Sequence, residues 1–217
     1  MEALAGPVHF LKRLMWAAFL VPVQSPSGWQ QSRFNGIPAN QVEFSTVGIH
    51  IQIKKSSSPL VYPLPSVQRV LGFRATLEIH GEIKSATNAW PEDAYLRVGL
   101  VAPGKRRLGF GERLVAAPWI KQLFALAPNG MGIDKIHFFN LVAGGGSIGK
   151  KRDLPKAKGL IDEMILAERL PTAKKMIFEY KLPGPMDVIA LWLSVDGDDT
   201  SSSFEIDLQE LKLNVAD

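Results

Sequence analysis

Residues Gly144 to Lys150, GGGSIGK, match the spacing G-x-x-x-x-G-K, in which backbone amides and a lysine cradle a phosphate. Gly145 to Gly149 also match G-x-S-x-G, the turn that presents a nucleophilic serine. Neither chemistry is completed by its surroundings. A phosphate loop places a magnesium-binding Ser or Thr after its lysine, and here that residue is Lys151. Pro155 and Gly159 break the helix whose N-terminus would hold the anion. The hydrolase needs an acid and then a histidine after its serine, and no histidine follows His137. Three consecutive glycines account for both matches. The sequence therefore predicts no nucleotide cofactor, and a mobile loop from Ala143 to Gly159.

A second cluster is acidic. In VDGDDT, Asp196, Asp198 and Asp199 crowd three carboxylates into four positions, which is costly unless a cation, an arginine or backbone hydrogen bonds offset the repulsion. Calcium is the natural metal for an all-oxygen site, so these aspartates are candidate ligands of a structural calcium ion. The competing reading is a plain turn, because Asp and Gly form turns by bonding their own backbone.

These groups must be positioned by strands. From Trp29 onward, short alternating runs are punctuated by Gly, Pro, Ser and Asn, at the spacing of an all-β sandwich. GIHIQIK sets Ile49, Ile51 and Ile53 against His50, Gln52 and Lys54, and FRATLEIHG alternates in the same way. Further strands are predicted at Ala94 to Val101, Ile133 to Val142, Leu160 to Ala167, Lys175 to Tyr180, Val188 to Val195 and Phe204 to Val215. In the last, the apolar phase slips between Leu208 and Leu211, which predicts a bulge at Gln209 and Glu210. One short helix is expected from Pro118, with Trp119, Ile120, Leu123 and Phe124 as its apolar stripe.

Alternation leaves a second, polar side to these strands. Trp192, Tyr95, Arg97, Arg74, Glu78 and His80 fall on it, a mixture that suits a sugar: aromatic planes meet its C–H faces, and charged groups meet its hydroxyls. The ordinary alternative is the solvated face of an antiparallel sheet. A cleaving enzyme, hydrolase or lyase, would instead use His80 or two carboxylates such as Glu78 and Asp196.

The chain of 217 residues, with 46% hydrophobic and 21% charged residues, has the composition of a folded protein. Its net charge of +4 is small, and Lys150, Lys151, Arg152, Lys156 and Lys158 concentrate it in the glycine-rich loop against Asp153 alone. That loop could meet an anionic partner in an envelope-assembly role; nothing signals specific nucleic-acid recognition. Lys12 and Arg13 precede an apolar run from Leu14 to Val23, the order of a secretory signal, and the run is too short to span a bilayer. Residues 1–28 are accordingly assigned to a signal peptide or an N-terminal helix, and residues 29–217 to one sandwich domain. The expected location is the periplasm or the cell exterior; the absence of cysteine fits a periplasmic protein that dispenses with disulfides, and fits the cytosol as well.

WPEDAYLRVGLV and LWLSVDGDDTSSSF carry a resemblance to a bacterial family of exported proteins known only as a domain of unknown function. The matching features are the acidic pair Glu92 and Asp93, the strand arginine Arg97, and the closing set Asp196, Asp198, Asp199 and Thr200, where Asp199 stands in place of the family's Asn. The similarity runs from about Trp29 to the C-terminus. That family is similar to galactose-binding-like jelly rolls, which implies a β-sandwich with a glycan ligand or a structural calcium, and no catalytic residue. The expected protein is a non-catalytic carbohydrate-binding module.

Overall fold

The computed structural model describes residues 16–84, 90–144, 147–154, 157–170 and 173–216. Residues 1–15 of the assigned leader and Lys156 of the basic loop lie outside them. The strands are β1 (Trp16–Leu20), β2 (Gln30–Gln31), β3 (Gln41–Ser45), β4 (Gly48–Lys54), β5 (Ser57–Glu82), β6 (Ala94–Gly104), β7 (Gly132–Ala143), β8 (Lys151–Asp153), β9 (Ile161–Arg169), β10 (Lys175–Asp196) and β11 (Ser203–Ala216). Two short helices, α1 (Phe110–Val115) and α2 (Pro118–Ala125), lie between β6 and β7.

The strand order is β3-β4-β11-β5-β10-β6-β7-β9-β8, with β1 added to β11 and β2 to β5. β5 and β10 are long because each serves both layers of the sandwich. Their near halves pair through Pro59↔Ser194 and their far halves through Ala75↔Phe178, with the register broken between Lys181 and Met186. Prolines mark this corner on both strands: Pro63 and Pro65 on β5, and Pro183 and Pro185 around Gly184 on β10. Proline has no N–H to give to a ladder, so pairing lapses there and the sheet can fold back on itself.

One layer holds β1, β3, β4, β11 and the far half of β5; the other holds β2, β6, β7, β9 and β8. Between them lies the main core, where Phe73 packs on Phe139 at 5.5 Å and Tyr95 meets Phe204 edge-on at 5.2 Å. The bulge predicted in β11 is present: Leu208 pairs with Leu77 and Glu210 with Thr76, so Gln209 is the extra residue. It keeps Phe204, Ile206, Leu208, Leu211, Leu213 and Val215 all buried.

Four expectations are corrected. The sheet is not wholly antiparallel, since β7 and β9 run parallel from Ile136↔Ile161 to Ala143↔Arg169. A parallel pair needs a crossover. The segment read as loop provides it, and it also contains β8, which pairs antiparallel with the outer side of β9. The helix expected from Pro118 is joined by α1, whose Gly109 and Gly111 gave a poor helix signal. Trp16–Leu20 is a strand on β11, not a helix, and Val21 and Val23 are buried in the main core.

Candidate functional site

A second apolar cluster covers the outer face of the β6–β7 layer, where Val61, Val101, Ile136, Phe138 and Trp192 meet Leu123 of α2. Pro118 starts that helix, and the stripe expected of it points Leu123 inward with Trp119 and Phe124 at its margins. The helix thus roofs half of a sheet face and leaves a cavity at its end. Register sets the cavity's floor in two rows: Trp192, Phe138 and Glu163, with Gly99 between the first two, then Ser194 and Arg97, with Asn140 the next cross-strand neighbour of Arg97. Phe34 and Trp119 complete the walls of a space of about 230 Å³. Trp119 stands edge-on to Trp192 with ring centroids 6.5 Å apart.

Gly99 is required by this packing. A Cβ there would lie 2.7 Å from Phe138 Cε1, 2.8 Å from Ile136 Cγ2 and 2.8 Å from the Trp192 carbonyl oxygen. Gly99→Ala is therefore expected to push the Phe138 ring out of its place in the floor and to cost about 1–3 kcal/mol, read as a lower midpoint in urea unfolding. An unchanged midpoint would show that the floor yields without strain.

The polar floor is a chain of alternating charge. Arg97 Nη1 lies 2.6 Å from Asp196 Oδ2, and its Nε lies 3.9 Å from Glu163 Oε1. Arg152 donates to Glu163 at 2.8 Å and to both oxygens of Glu92 at 2.9 and 3.1 Å, while its guanidinium lies 4.4 Å over the Trp90 ring. Burial pushes the Asp196 carboxyl up to about 7; Arg97 pulls against this, and Asp93 and Asp198 add to it. Burial likewise raises Asp198 and Asp199, each helped by neighbouring carboxylates. Beside Arg97, the fully buried Asn140 has no protein partner for either amide atom among the described residues.

The structure brings Trp192, Arg97 and Asp196 together in this cavity. The other predicted residues lie elsewhere. Tyr95 is in the main core, where its hydroxyl accepts from the Ile83 N–H at 3.0 Å. The register between β6 and β10 slips by one residue between Ser194 and Asp196, and both Tyr95 and Leu96 turn inward. Arg74, Glu78 and His80 lie on the outer face of the opposite layer, because the far half of β5 belongs to it. There Glu78 accepts from Gln209 at 3.0 Å, and Arg74 lies 3.7 Å from Glu179. His80 is 3.0 Å from Asp207, whose other oxygen faces His50 at 2.7 Å. Glu78 and Asp196 are thus on opposite sides of the sandwich.

The acidic turn is also rearranged. Carboxylate oxygens of Asp93, Asp196 and Asp198 lie within 4.8 Å of one another, so Asp93 takes the place expected for Asp199. Asp199 contributes its backbone N–H, which with that of Thr200 donates to Asp93 at 3.2 and 2.8 Å. Asp196 accepts from the Ala94 N–H at 2.8 Å as well as from Arg97. Arginine and backbone donors offset part of this crowding, and the carboxyls of Asp196, Asp198 and Asp199 are still raised by burial and by neighbouring carboxylates. Of the basic loop, Lys150, Lys151 and Lys158 are exposed, but Arg152 is turned inward onto Glu92 and Glu163. Gly149 leads through a turn into β8, not into a helix.

Glu163 was missed, although it sits in the apolar phase between Ile161 and Ile165, and a charge in that phase was its signal. A larger cavity of about 430 Å³ holds His137, Asp162, Lys151, Arg152 and Tyr180. Burial would raise the Asp162 carboxyl, but His137 at 2.8 Å and Lys135 at 3.2 Å hold it below its usual range.

The fold and cavity define a β-sandwich with a pocket lined by aromatic and charged side chains. No protein-family model matches the chain, and no curated protein matches it. Among solved structures it is similar to a xylan-binding module, "CBM15", at 7% identity and a TM-score of 0.41, covering 92% of this chain and 96% of that one. It is also similar to a family 11 carbohydrate-binding module from Clostridium thermocellum in complex with a β-1,3-1,4-mixed-linked tetrasaccharide. That match has 11% identity and a TM-score of 0.39, covering 90% and 94% of the two chains.

Proposed function

We propose that the protein is a non-catalytic carbohydrate-binding module that holds a sugar unit in the cavity beneath α2. The observation that carries this reading is the meeting of Trp119, Trp192 and Phe138 with Arg97, Glu163 and Asp196 in one space of about 230 Å³. Aromatic walls take the apolar C–H faces of a pyranose, while carboxylates and a guanidinium hydrogen-bond its hydroxyls. Glu78 and Asp196 lie on opposite faces, so they do not form the carboxylate pair of a cleaving enzyme.

Affinity electrophoresis of the full chain against a panel of neutral and uronate-bearing soluble polysaccharides tests this. At least one is expected to retard the protein, and Trp119→Ala is expected to weaken that retardation roughly tenfold or more. Trp119 is only partly buried, so unfolding measured in parallel separates lost contact from lost fold. Retardation by none of the panel, or equal retardation of the variant, would remove the proposal.

The proposed setting is the periplasm or the cell exterior, on the order of Lys12 and Arg13 ahead of the apolar run. Because Trp16–Leu20 of that run forms β1 and Val21 and Val23 are in the core, the segment would be retained after export.

A further inference from the structure

We infer that the segment from Lys105 to Val115, centred on α1, is a docking edge for an anionic lipid surface. This inference is independent of the glycan reading. No residue of α1 is buried, and Phe110, Leu114 and Val115 are 84%, 69% and 86% exposed. Phe110 and Leu114 stand four positions apart, on the same side of the helical turn. Arg107 donates to the Gly130 carbonyl, which brings the neighbouring Met131, 43% exposed, to the same edge. Keeping these apolar side chains in water is unfavourable, and α1 offers them no core of its own.

The charge around this apolar tip says what covers it. Lys105, Arg107 and Arg113 are exposed and Arg106 is half-buried. Arg106 and Arg113 donate only to backbone, to the Lys158 carbonyl at 2.9 Å and the Leu108 carbonyl at 3.2 Å. Among the described residues, no carboxylate pairs with any of the four. The one acid in the segment, Glu112, accepts from the Gly109 N–H at 2.9 Å.

An apolar tip inside a collar of uncompensated positive charge matches the boundary of an anionic bilayer: apolar side chains enter the headgroup–acyl region while lysine and arginine stay at the phosphates. A second copy of this chain is a poor occupant, because its own collar would repel this one.

Co-sedimentation of the full chain with phosphatidylcholine vesicles, with and without about 30% phosphatidylglycerol, tests the inference. Partition is expected to need the anionic lipid and to fall in about 0.5 M salt. The triple variant Phe110→Ser, Leu114→Ser, Val115→Ser should lose roughly tenfold or more of it without a change in unfolding midpoint. The double variant Arg107→Gln, Arg113→Gln should lose roughly thirtyfold, at about tenfold per 1.4 kcal/mol and about 1 kcal/mol for each charge. Equal partition onto neutral vesicles, no partition, or partition unchanged in both variants overturns it. So does self-association in sedimentation analysis that the triple variant abolishes, which would assign the edge to a second copy.

Discussion

Replacing Arg97 with methionine is expected to destabilise the fold by about 3–5 kcal/mol, because it removes one partner of a buried ion pair and leaves the other uncompensated. Asp196 loses the guanidinium 2.6 Å away, and Glu163 loses one of its two arginines. The effect should depend on pH. Asp196 releases its proton at about 7 in the fold against 3.8 in the unfolded chain, so the folded state binds more protons between these values. Stability from this group is therefore complete below about pH 4 and is lost as pH rises towards 7. Asp198 and Asp199 are raised as well and act in the same direction. Asp162, held low by His137 and Lys135, acts oppositely, but only below its ordinary value of 3.8.

Urea unfolding should thus give a lower midpoint for the native chain at about pH 8 than at about pH 5. The Arg97→Met deficit should be larger at about pH 8, since without Arg97 the Asp196 carboxyl is still harder to ionise. A deficit below about 1 kcal/mol, or one larger at the acid end, would mean that Asp196 is adequately solvated without its partner.

The residues of this ion pair show what the sequence disclosed. Asp196 and Arg97 were both legible, as a crowded acid and as a cation on a non-core strand position, and so was the alternation that buries Ile49, Ile51 and Ile53. Alternation reports whether a side chain points in or out, but a sandwich has two outer faces, and the pattern is the same on both. Trp192 and His80 are both outward residues, yet they lie on opposite layers because β5 and β10 turn the proline corner. Tyr95 was lost to a one-residue slip in β6, which no apolar phase announces when Leu96 is buried as well. Trp119 was seen as helix stripe; that it roofs a cavity depends on which sheet face α2 covers, a tertiary fact.

The N-terminal segment carries the other large effect: deleting residues 1–28 is expected to destabilise the rest by roughly 4–8 kcal/mol, a large share of a typical domain's total. β1 runs antiparallel to the end of β11, from Trp16↔Ala216 to Leu20↔Lys212. β4 covers only the first half of β11, up to Leu208, so β1 is what closes the second half's free edge. Val21 donates its N–H to the Leu211 carbonyl at 2.9 Å, and Val21 and Val23 fill the main core. The Pro22 carbonyl accepts from the Trp29 indole at 2.9 Å. Deletion opens a hydrophobic gap, strands an indole donor and exposes a strand edge prone to intermolecular pairing. Comparing residues 29–217 with the full chain in urea measures the loss, and equal midpoints would show that β1 contributes nothing. The same packing constrains export as proposed: processing that spares the fold must leave residues 16–23 in place. A secretory signal is cut after its apolar run, and here that run supplies β1 and two core residues. N-terminal sequencing of protein recovered from the periplasm should therefore find the segment uncleaved, and a start near residue 29 would show that the sandwich tolerates an open β11 edge.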